Sequence, residues 1–296
     1  MRPATVGRLA MEGFVTENEF LNERQFYIAV KRLADSLGYG TDRSPLLGTG
    51  IEFVESRPYQ AGDPVRAIDW RVTARTRKVY VKQFEAPKRM PVYLLLDTSA
   101  SMTIRSSSRS KYETAVFVCG GLALACLARI SPVGMLGVGG ERLHVRPSLS
   151  RDQVLGWLHR LRRYRYDEPT QLAVRVAELS PSLAHRTLVV VLSDLHDAES
   201  LPILRRLGQR HECVVLQFRD PAERSLRGAG LLRSREAETG RAVVAHGRTR
   251  WLDQTRIDDE LRRGAIDHLV IDTDAPFVPR LLHFFKSRGI LGRGTR

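Results

Sequence analysis

Two apolar runs that each end in an aspartate decide the fold: PVYLLLD at residues 91–97 and TLVVVLSD at residues 187–194. Neither run alternates with polar residues, which is typical of strands that are covered on both faces. Further short apolar runs, at residues 133–138, 212–218 and 267–271, are separated by stretches with helical periodicity. This alternation predicts an α/β fold that is doubly wound around a mostly parallel sheet.

The residues before this alternating region form a different kind of segment. A helix is predicted over residues 18–37, and a dense polar segment follows at residues 48–85. We favour the interpretation that this segment is a collar of ion pairs locked onto the main domain, which would bury the ring of Trp70. The alternative interpretation is a surface for a partner or for regulation. Residues 1–90 are therefore predicted to be a helix and collar packed on the main domain.

The main domain is predicted to span residues 91–296, with one interruption. The alternation of strands and helices breaks between about residues 220 and 250. In that interval Glu238-Thr239-Gly240 has the composition of a tight turn between two short strands. We therefore expect a small hairpin insertion there.

The charge of the chain is strongly basic, with a net +14 over 296 residues. Such a charge fits a nucleic acid, an anionic membrane or an acidic protein as a partner. The arginines are spread over nearly the whole chain, and the densest cluster, at residues 160–165, lies at the end of a predicted helix. We interpret the charge as a solvated surface and expect no nucleic-acid ligand. A basic nucleic-acid-binding protein stays as an alternative.

The sequence contains no pattern that indicates a membrane span or a disulfide framework. The longest uncharged apolar run, residues 114–128, is shorter than the roughly 18 to 20 residues that a spanning helix needs. The first residues lack the apolar core of a signal peptide. Cys119, Cys126 and Cys213 lie in apolar stretches and form no Cys-x-x-Cys motif. We expect a cytoplasmic protein without disulfides.

Hydroxyl and carboxylate side chains follow the two strands that decide the fold. Asp97, Ser99 and Ser101 share one turn after the first strand, Asp194 ends the second, and Thr170 begins a predicted helix. Ligands of open α/β sheets bind at the carboxyl ends of the strands. Such hard oxygen ligands suit Mg²⁺ or Mn²⁺. The same residue types also form helix N-caps, so a cap and a metal site are both open interpretations of the motif alone.

The stretch LLLDTSASM at residues 94–102 resembles the metal-ion-dependent adhesion site of von Willebrand factor A domains. The chain is also similar, over roughly residues 45–288, to a bacterial family of von Willebrand A-like proteins catalogued as domain of unknown function 58. The segments that carry this similarity are GTGIEF at 48–53, RPYQAGD at 57–63, RAIDW at 66–70, ART at 74–76 and VYVKQFE at 79–85.

The resemblance implies a Rossmann-like α/β domain with a metal ion at the top of the sheet. The implied direct ligands are Ser99, Ser101 and Thr170, and the implied water-mediated ligands are Asp97 and Asp194. The sequence departs from the family at DEPTQ, residues 167–171, because the glycines common in that loop are absent. A first shell of neutral hydroxyls leaves the ion poorly neutralised, which favours an acidic ligand from a partner.

The resemblance also implies a function and a partner, since relatives in this family are associated with MoxR-type AAA+ ATPases. We expect a non-enzymatic, metal-dependent protein-interaction module, an adaptor that binds such an ATPase or an acidic client. The alternative is a Mg²⁺-dependent hydrolase that uses Asp97 and Asp194, for which only His196 or Glu168 is available as a base. The chain lacks a Gly-x-Ser-x-Gly nucleophile elbow and a phosphate-binding loop.

Overall fold

The computed structural model describes residues 12–14, 23–39, 52–61, 63, 65, 68–85, 90–140, 143–165, 168–197, 199–224, 231–235, 242–246 and 253–288. The strands are β1 (Glu12–Phe14), β2 (Glu52–Pro58), β3 (Tyr80–Glu85), β4 (Val92–Leu96), β5 (Val133–Gly137), β6 (His144–Ser148), β7 (Arg163–Arg165), β8 (Leu188–Ser193), β9 (Glu212–Arg219), β10 (Leu231–Arg235), β11 (Ala242–His246) and β12 (Asp267–Asp272). The helices are α1 (Glu23–Tyr39), α2 (Trp70–Thr76), α3 (Lys111–Ala128), α4 (Arg151–Leu161), α5 (Leu172–Leu179), α6 (Ser200–Gly208), α7 (Pro221–Arg224), α8 (Gln254–Arg263) and α9 (Val278–Arg288).

A six-stranded sheet forms the centre of the described structure, in the order β12-β9-β8-β4-β5-β6. Its strands are parallel apart from β6, which pairs antiparallel with β5 at the edge. Successive side chains of β4 enter opposite cores: Leu94 and Leu96 join one hydrophobic cluster, and Tyr93 and Leu95 join the other. Both faces are therefore covered, which explains why the run is apolar throughout. The predicted mixed α/β fold with a mostly parallel sheet is confirmed.

The strand order places two carboxylates side by side. The chain leaves β4 for β5 on one side and later returns to β8 on the other side of β4. A crevice opens at the carboxyl ends of parallel strands where the order reverses in this way. Strands β4 and β8 pair in register and end at Leu96 and Ser193, so Asp97 and Asp194 are the first residues beyond the sheet on neighbouring strands.

The central helix of the described structure is α3, which is buried along most of its length. A capping box starts it: the Ser110 hydroxyl accepts the Glu113 N–H at 3.1 Å, and the Glu113 carboxylate accepts the Ser110 N–H at 2.8 Å. Among the described residues it is the one helix with the length and hydropathy of a membrane span, and most of it lies inside the protein. Its two thiols, Cys119 and Cys126, are buried, and burial raises the pKa of Cys126 to about 12.

The predicted polar segment folds as an antiparallel pair, β2 with β3, that is joined by α2. Asp69 caps α2 by accepting the N–H groups of Arg71 and Val72 at 3.1 and 3.2 Å. The side chain of Trp70 is 67% exposed. The expectation that its ring is buried was therefore wrong, because the polar contacts of this segment lie within the segment and leave the first residue of α2 facing solvent.

Strands β10 and β11 pair antiparallel within the predicted hairpin insertion, with Leu231 opposite His246 and Arg235 opposite Ala242. The predicted turn, Glu238-Thr239-Gly240, lies outside the described residues. The chain enters the pair from the short helix α7, which follows β9 directly. The insertion therefore starts at the carboxyl edge of the central sheet, the same edge that carries Asp97 and Asp194.

Helix α1 packs closely on α3 because two glycines allow it. A Cβ atom added at Gly120 would lie 2.9 Å from Val30 Cγ1, and one added at Gly121 would lie 2.5 Å from Leu33 Cδ2. The side chains of Val30 and Leu33 belong to the same hydrophobic cluster as α3. The N-terminal helix is thus part of the main core.

We expect Gly121→Ala to destabilise the protein by about 1–3 kcal/mol, because overpacking against Leu33 outweighs the gain of roughly 1 kcal/mol in helix propensity. Gly156→Ala is the matched control, since no heavy atom lies within 4 Å of a Cβ at this position in α4. The control should raise stability by about 0.5–1 kcal/mol. Urea denaturation of both variants tests this, and equal stabilisation by both would contradict the α1–α3 packing.

Candidate metal centre

The first part of the site is the turn that follows β4. The Asp97 N–H donates to the Leu192 carbonyl at 2.9 Å, and Asp97 Oδ1 accepts the Ser99 N–H at 3.0 Å. A short 3₁₀ turn, Ala100–Thr103, then folds the chain back. As a result the hydroxyls of Ser99 and Ser101 lie 3.0 Å apart. The carboxylate and both hydroxyls are buried, so the predicted motif is one compact group of oxygen atoms.

The second part of the site follows β8. The hydroxyl of Ser193 donates to Asp97 Oδ2 at 2.6 Å and so ties the two strand ends together. Leu195 takes a left-handed backbone conformation, with φ of 58°, and its N–H donates back to the Ser193 hydroxyl at 3.0 Å. A non-glycine residue in this region is uncommon and indicates local strain held by its surroundings. The turn keeps the Asp194 side chain buried at the strand end, where the Ser101 hydroxyl hydrogen-bonds to it.

A buried lysine contacts this aspartate, and sequence reasoning missed it. Lys111 Nζ lies 2.7 Å from Asp194 Oδ2 and also hydrogen-bonds to Glu223 Oε1. The lysine side chain is 0% exposed. One signal was present in the sequence: a cation in the first turn of an apolar helix opposes the helix dipole, so it needs carboxylates from elsewhere.

His196 and Glu223 extend the cluster outward. His196 Nε2 lies 3.2 Å from Glu223 Oε1 and 3.8 Å from Asp194 Oδ2. Together with Asp194 they offer three metal-ligating atoms within 4.8 Å of one another. However, the Lys111 ammonium group already contacts two of these three residues, Asp194 and Glu223. A positive charge therefore already lies beside the place where a metal ion would bind to them. Asp194 and Glu223 raise the pKa of His196 despite its burial.

The two central carboxylates differ in their charge balance. Burial and the neighbouring Asp194 raise the pKa of Asp97 from 3.8 to about 6. Burial also acts on Asp194, but Lys111 and His196 outweigh it and hold the pKa of Asp194 below its usual range. The Lys111 ammonium is therefore shared by Asp194 and Glu223, whereas no cation contacts Asp97 among the described residues. A divalent cation would supply the missing positive charge.

Thr170 is the remaining predicted ligand, and the structure brings its loop to the site. The Ala100 N–H donates to the Glu168 carbonyl at 2.7 Å, and the Gln171 N–H donates to the Val138 carbonyl at 2.8 Å. The Thr170 Oγ1 atom is buried and has no hydrogen-bond partner among the described residues. Buried hydroxyls normally have one, so this atom is free to bind a ligand. The residues present therefore fit a hard divalent cation.

Glu168 holds this loop in place rather than facing the site as a base. Its Oε2 atom accepts the Thr98 hydroxyl and the Gly140 N–H, both at 3.1 Å. A Cβ atom at Gly139 would lie 2.1 Å from Thr98 Oγ1 and 2.4 Å from Glu168 Oε2, so these two side chains can lie this close to the backbone only because residue 139 is glycine.

A second polar network, formed by residues of β9, α8 and β12, contacts the turn that carries Asp194. Gln217 is fully buried on β9, and its Nε2 donates to the Asp194 carbonyl at 3.4 Å. Its Oε1 lies 2.9 Å from His268 Nε2 and accepts Gln254 Nε2 at 3.0 Å. His268 Nδ1 in turn lies 3.1 Å from Asp258 Oδ1. The turn that carries Asp194 is thus fixed from both sides of the sheet edge.

The fold and site define a mixed α/β protein with a hydroxyl–carboxylate cluster at the carboxyl edge of its parallel sheet. The chain belongs to the family described as "Protein of unknown function DUF58", whose model matches residues 55–260. That match confirms the family named from the sequence motifs.

Related proteins occur in several bacteria. The chain is 28% identical over 222 residues to Uncharacterized protein Rv1480 of Mycobacterium tuberculosis and to Uncharacterized protein Mb1516 of Mycobacterium bovis, with 73% of this chain and 70% of each relative covered. It is 26% identical over 174 residues to Uncharacterized protein YeaD of Bacillus subtilis, of which it covers 40%. Among solved structures, the PilB minor pilin from Streptococcus sanguinis aligns with a TM-score of 0.39 and 9% identity, over 71% of this chain and 64% of the pilin.

We expect the stability advantage of Asp97→Asn over wild type in the metal-free protein to grow as pH rises from about 4 to 6. The pKa of Asp97 is raised in the folded state, to about 6, so its ionisation in this interval costs the native state more than the unfolded state. Asp97→Asn cannot ionise, and its stability should gain about 2 kcal/mol on wild type between these two pH values. Urea denaturation in EDTA at both pH values measures the difference.

The control for this pH dependence is Asp35→Asn, a change at an exposed aspartate on α1. This variant should follow wild type at both pH values. A constant stability difference between wild type and Asp97→Asn from pH 4 to 6 would show that the Asp97 carboxyl is not protonated in the metal-free fold.

We expect Lys111→Met to destabilise the protein by about 3–5 kcal/mol, because it leaves the buried Asp194 and Glu223 carboxylates without their cation. Adding Glu223→Gln to this variant removes one unpaired charge and should recover part of the loss. A double-mutant cycle by chemical denaturation measures the coupling. Lys31→Met, at an exposed position on α1, is the control. Additive effects of Lys111→Met and Glu223→Gln would contradict the buried ion pair.

Proposed function

We propose that the protein is a metal-dependent protein-interaction module. The observation that carries this proposal is the buried Thr170 hydroxyl, which has no hydrogen-bond partner within the described part of the chain and lies in a loop hydrogen-bonded to the Ser99–Ser101 turn. Ser99, Ser101 and Thr170 would hold Mg²⁺ or Mn²⁺ directly, and Asp97 and Asp194 would hold it through water. When bound, the ion supplies a Lewis-acidic position for an anionic ligand.

The charge balance of the site favours an acidic ligand from a partner. The three proposed direct ligands are neutral hydroxyls, and the two aspartates would reach the ion only through water. An ion whose direct ligands are neutral favours a carboxylate from another protein as a further direct ligand. The same balance makes the ion bind weakly until that carboxylate arrives. The net charge of +14 speeds encounter with an acidic partner and makes the association sensitive to salt.

Binding, rather than hydrolysis, is the function that these contacts support best. The two candidate bases are both engaged: Glu168 accepts hydrogen bonds from Thr98 and Gly140, and His196 contacts Glu223. The Ser99 hydroxyl hydrogen-bonds to Ser101 rather than to a base.

We further propose that the fold is of the von Willebrand factor A type and that the protein acts in the cytoplasm as an adaptor for a MoxR-type AAA+ ATPase. Support for the fold comes from the strand order around β4 and β8 and from the antiparallel edge strand β6. Support for the partner comes from the family resemblance of the motifs at residues 48–102. The partner's contact would be an acidic side chain at the metal.

We expect Asp97→Ala and EDTA to have the same effect: each should abolish capture of the purified cognate ATPase in a pull-down with Mg²⁺. The carboxylate serves the ion and lies at a strand end, so the fold should survive its removal. Asp259→Ala, at an exposed position on α8, is the matched control and should capture as wild type does. Capture should also weaken as salt rises.

Isothermal titration calorimetry separates the metal from the partner in this test. Ser99→Ala combined with Ser101→Ala should lose Mg²⁺ binding, whereas Ser36→Ala on the exposed side of α1 should keep it. Equal Mg²⁺ binding by the double serine variant and by Ser36→Ala would refute the site assignment. If capture survives EDTA and Asp97→Ala, the metal is not the binding element.

A further inference from the structure

An exposed apolar surface lies at one end of the β2–β3 pair. We call it the Trp70 surface and define it by four side chains with large exposed fractions: Tyr59 at 40%, Val65 at 67%, Trp70 at 67% and Val79 at 44%. Single exposed apolar residues are common on proteins, but a group of four that includes a tryptophan indicates a binding surface.

Backbone hydrogen bonds show that these residues are neighbours. The Tyr59 N–H donates to the Val79 carbonyl at 2.9 Å, which places the two residues opposite each other at the end of the strand pair. The Asp69 N–H donates to the Tyr80 carbonyl at 2.7 Å, so Trp70 emerges beside the same strand end. Val65 starts the turn that leads into α2, because the Ile68 N–H donates to its carbonyl at 3.1 Å.

Polar contacts fix the backbone segments that carry the residues of the Trp70 surface. Asp69 is buried, caps α2 and accepts the Ser56 hydroxyl at 2.7 Å, so the residue before Trp70 is fixed to β2. Arg57 forms a two-point ion pair with Asp63, at 2.7 and 2.8 Å, across the connection between β2 and α2. A rigid aromatic side chain loses little conformational entropy on binding, which is typical of anchor residues at interfaces.

The surroundings of the Trp70 surface are strongly cationic. Residues 68–82 contain five basic residues and one acidic residue, Asp69, which is buried. Arg71 and Arg75 lie four residues apart on α2 and so share one face of the helix, and Arg77 and Lys78 follow directly, all exposed. Like charges at this spacing repel each other, and carboxylates from a partner would relieve the repulsion.

We propose that the Trp70 surface binds an acidic segment of a partner protein, in which carboxylates face Arg71 and Arg75 and a large apolar side chain covers Trp70. Charge complementarity fixes the sign of the partner. The exposed aliphatic side chains of Val65 and Val79 in the same group of residues favour an apolar protein side chain over a nucleic-acid base. This surface shares no residue with the metal centre, so its binding does not require a metal ion.

The experiment is a selection from a phage-displayed library of random dodecapeptides, in EDTA, with wild type as bait and Trp70→Ala for counter-selection. The enriched peptides should carry aspartate or glutamate on both sides of an aromatic or large aliphatic residue. Since the Trp70 ring is exposed, the variant should keep a melting temperature within about 3 °C of wild type. A selection in EDTA cannot enrich ligands of the metal.

Fluorescence anisotropy with one enriched peptide then measures the contribution of each element. Trp70→Ala, and Arg71→Gln combined with Arg75→Gln, should each weaken binding by about tenfold or more, in the range of interface anchors. Arg206→Gln combined with Arg210→Gln, at two exposed positions on and just after α6, is the charge-matched control and should change binding less than twofold.

Peptide binding at the Trp70 surface can be tested independently of metal binding at Asp97. Asp97→Ala should leave peptide binding unchanged, so failure of one proposal does not affect the other. The proposal is overturned if no peptide distinguishes wild type from Trp70→Ala, or if the enriched peptides lack acidic residues. It is also overturned if a thymidine dodecamer displaces the peptide at equal concentration, because the surface would then prefer nucleic acid.

Discussion

Two carboxylates that end neighbouring buried strands lie close together and repel each other, and the contacts at the carboxyl edge of the sheet limit that repulsion. Asp97 is held by the Ser193 hydroxyl and by the N–H of Ser99. Asp194 is held by the ammonium group of Lys111. Each of these groups comes from a different part of the chain, so the first turn of α3, the end of β8 and the turn after β4 depend on one another. A bound cation would complete the same arrangement.

The main fold and the centre of the site could be predicted because local patterns encode them. A strand covered on both faces needs an unbroken apolar run, and the runs that end at Asp97 and Asp194 show this directly. Adjacent parallel strands then bring the two aspartates together. The serines could be included because they follow on the same turn. Thr170 could be named as a hydroxyl at the start of a helix, but its role as a direct ligand came only from the family resemblance, since its loop reaches the site by backbone contacts with Ala100 and Val138.

Other parts of the site could not be predicted, because they depend on pairs that are distant in sequence. Lys111 lies 83 residues from Asp194 and 112 residues from Glu223, and no periodicity connects them. The expectation for Trp70 failed for a related reason. A dense mixture of charges and aromatic residues is compatible with a buried network and with an exposed surface, and only the contacts of Asp69 show that the network closes beneath the ring.

The buried thiols of this protein have a consequence for its chemistry in the cell. Peroxide oxidation and disulfide exchange both require a thiolate, and burial raises the pKa of Cys119 and Cys126 far above neutral pH. Cys213 is also buried, on β9. The thiols of Cys119 and Cys126 are therefore protected from these reactions in the folded protein. They become reactive when the core around α3 opens, so their rate of alkylation reports how often α3 leaves the sheet.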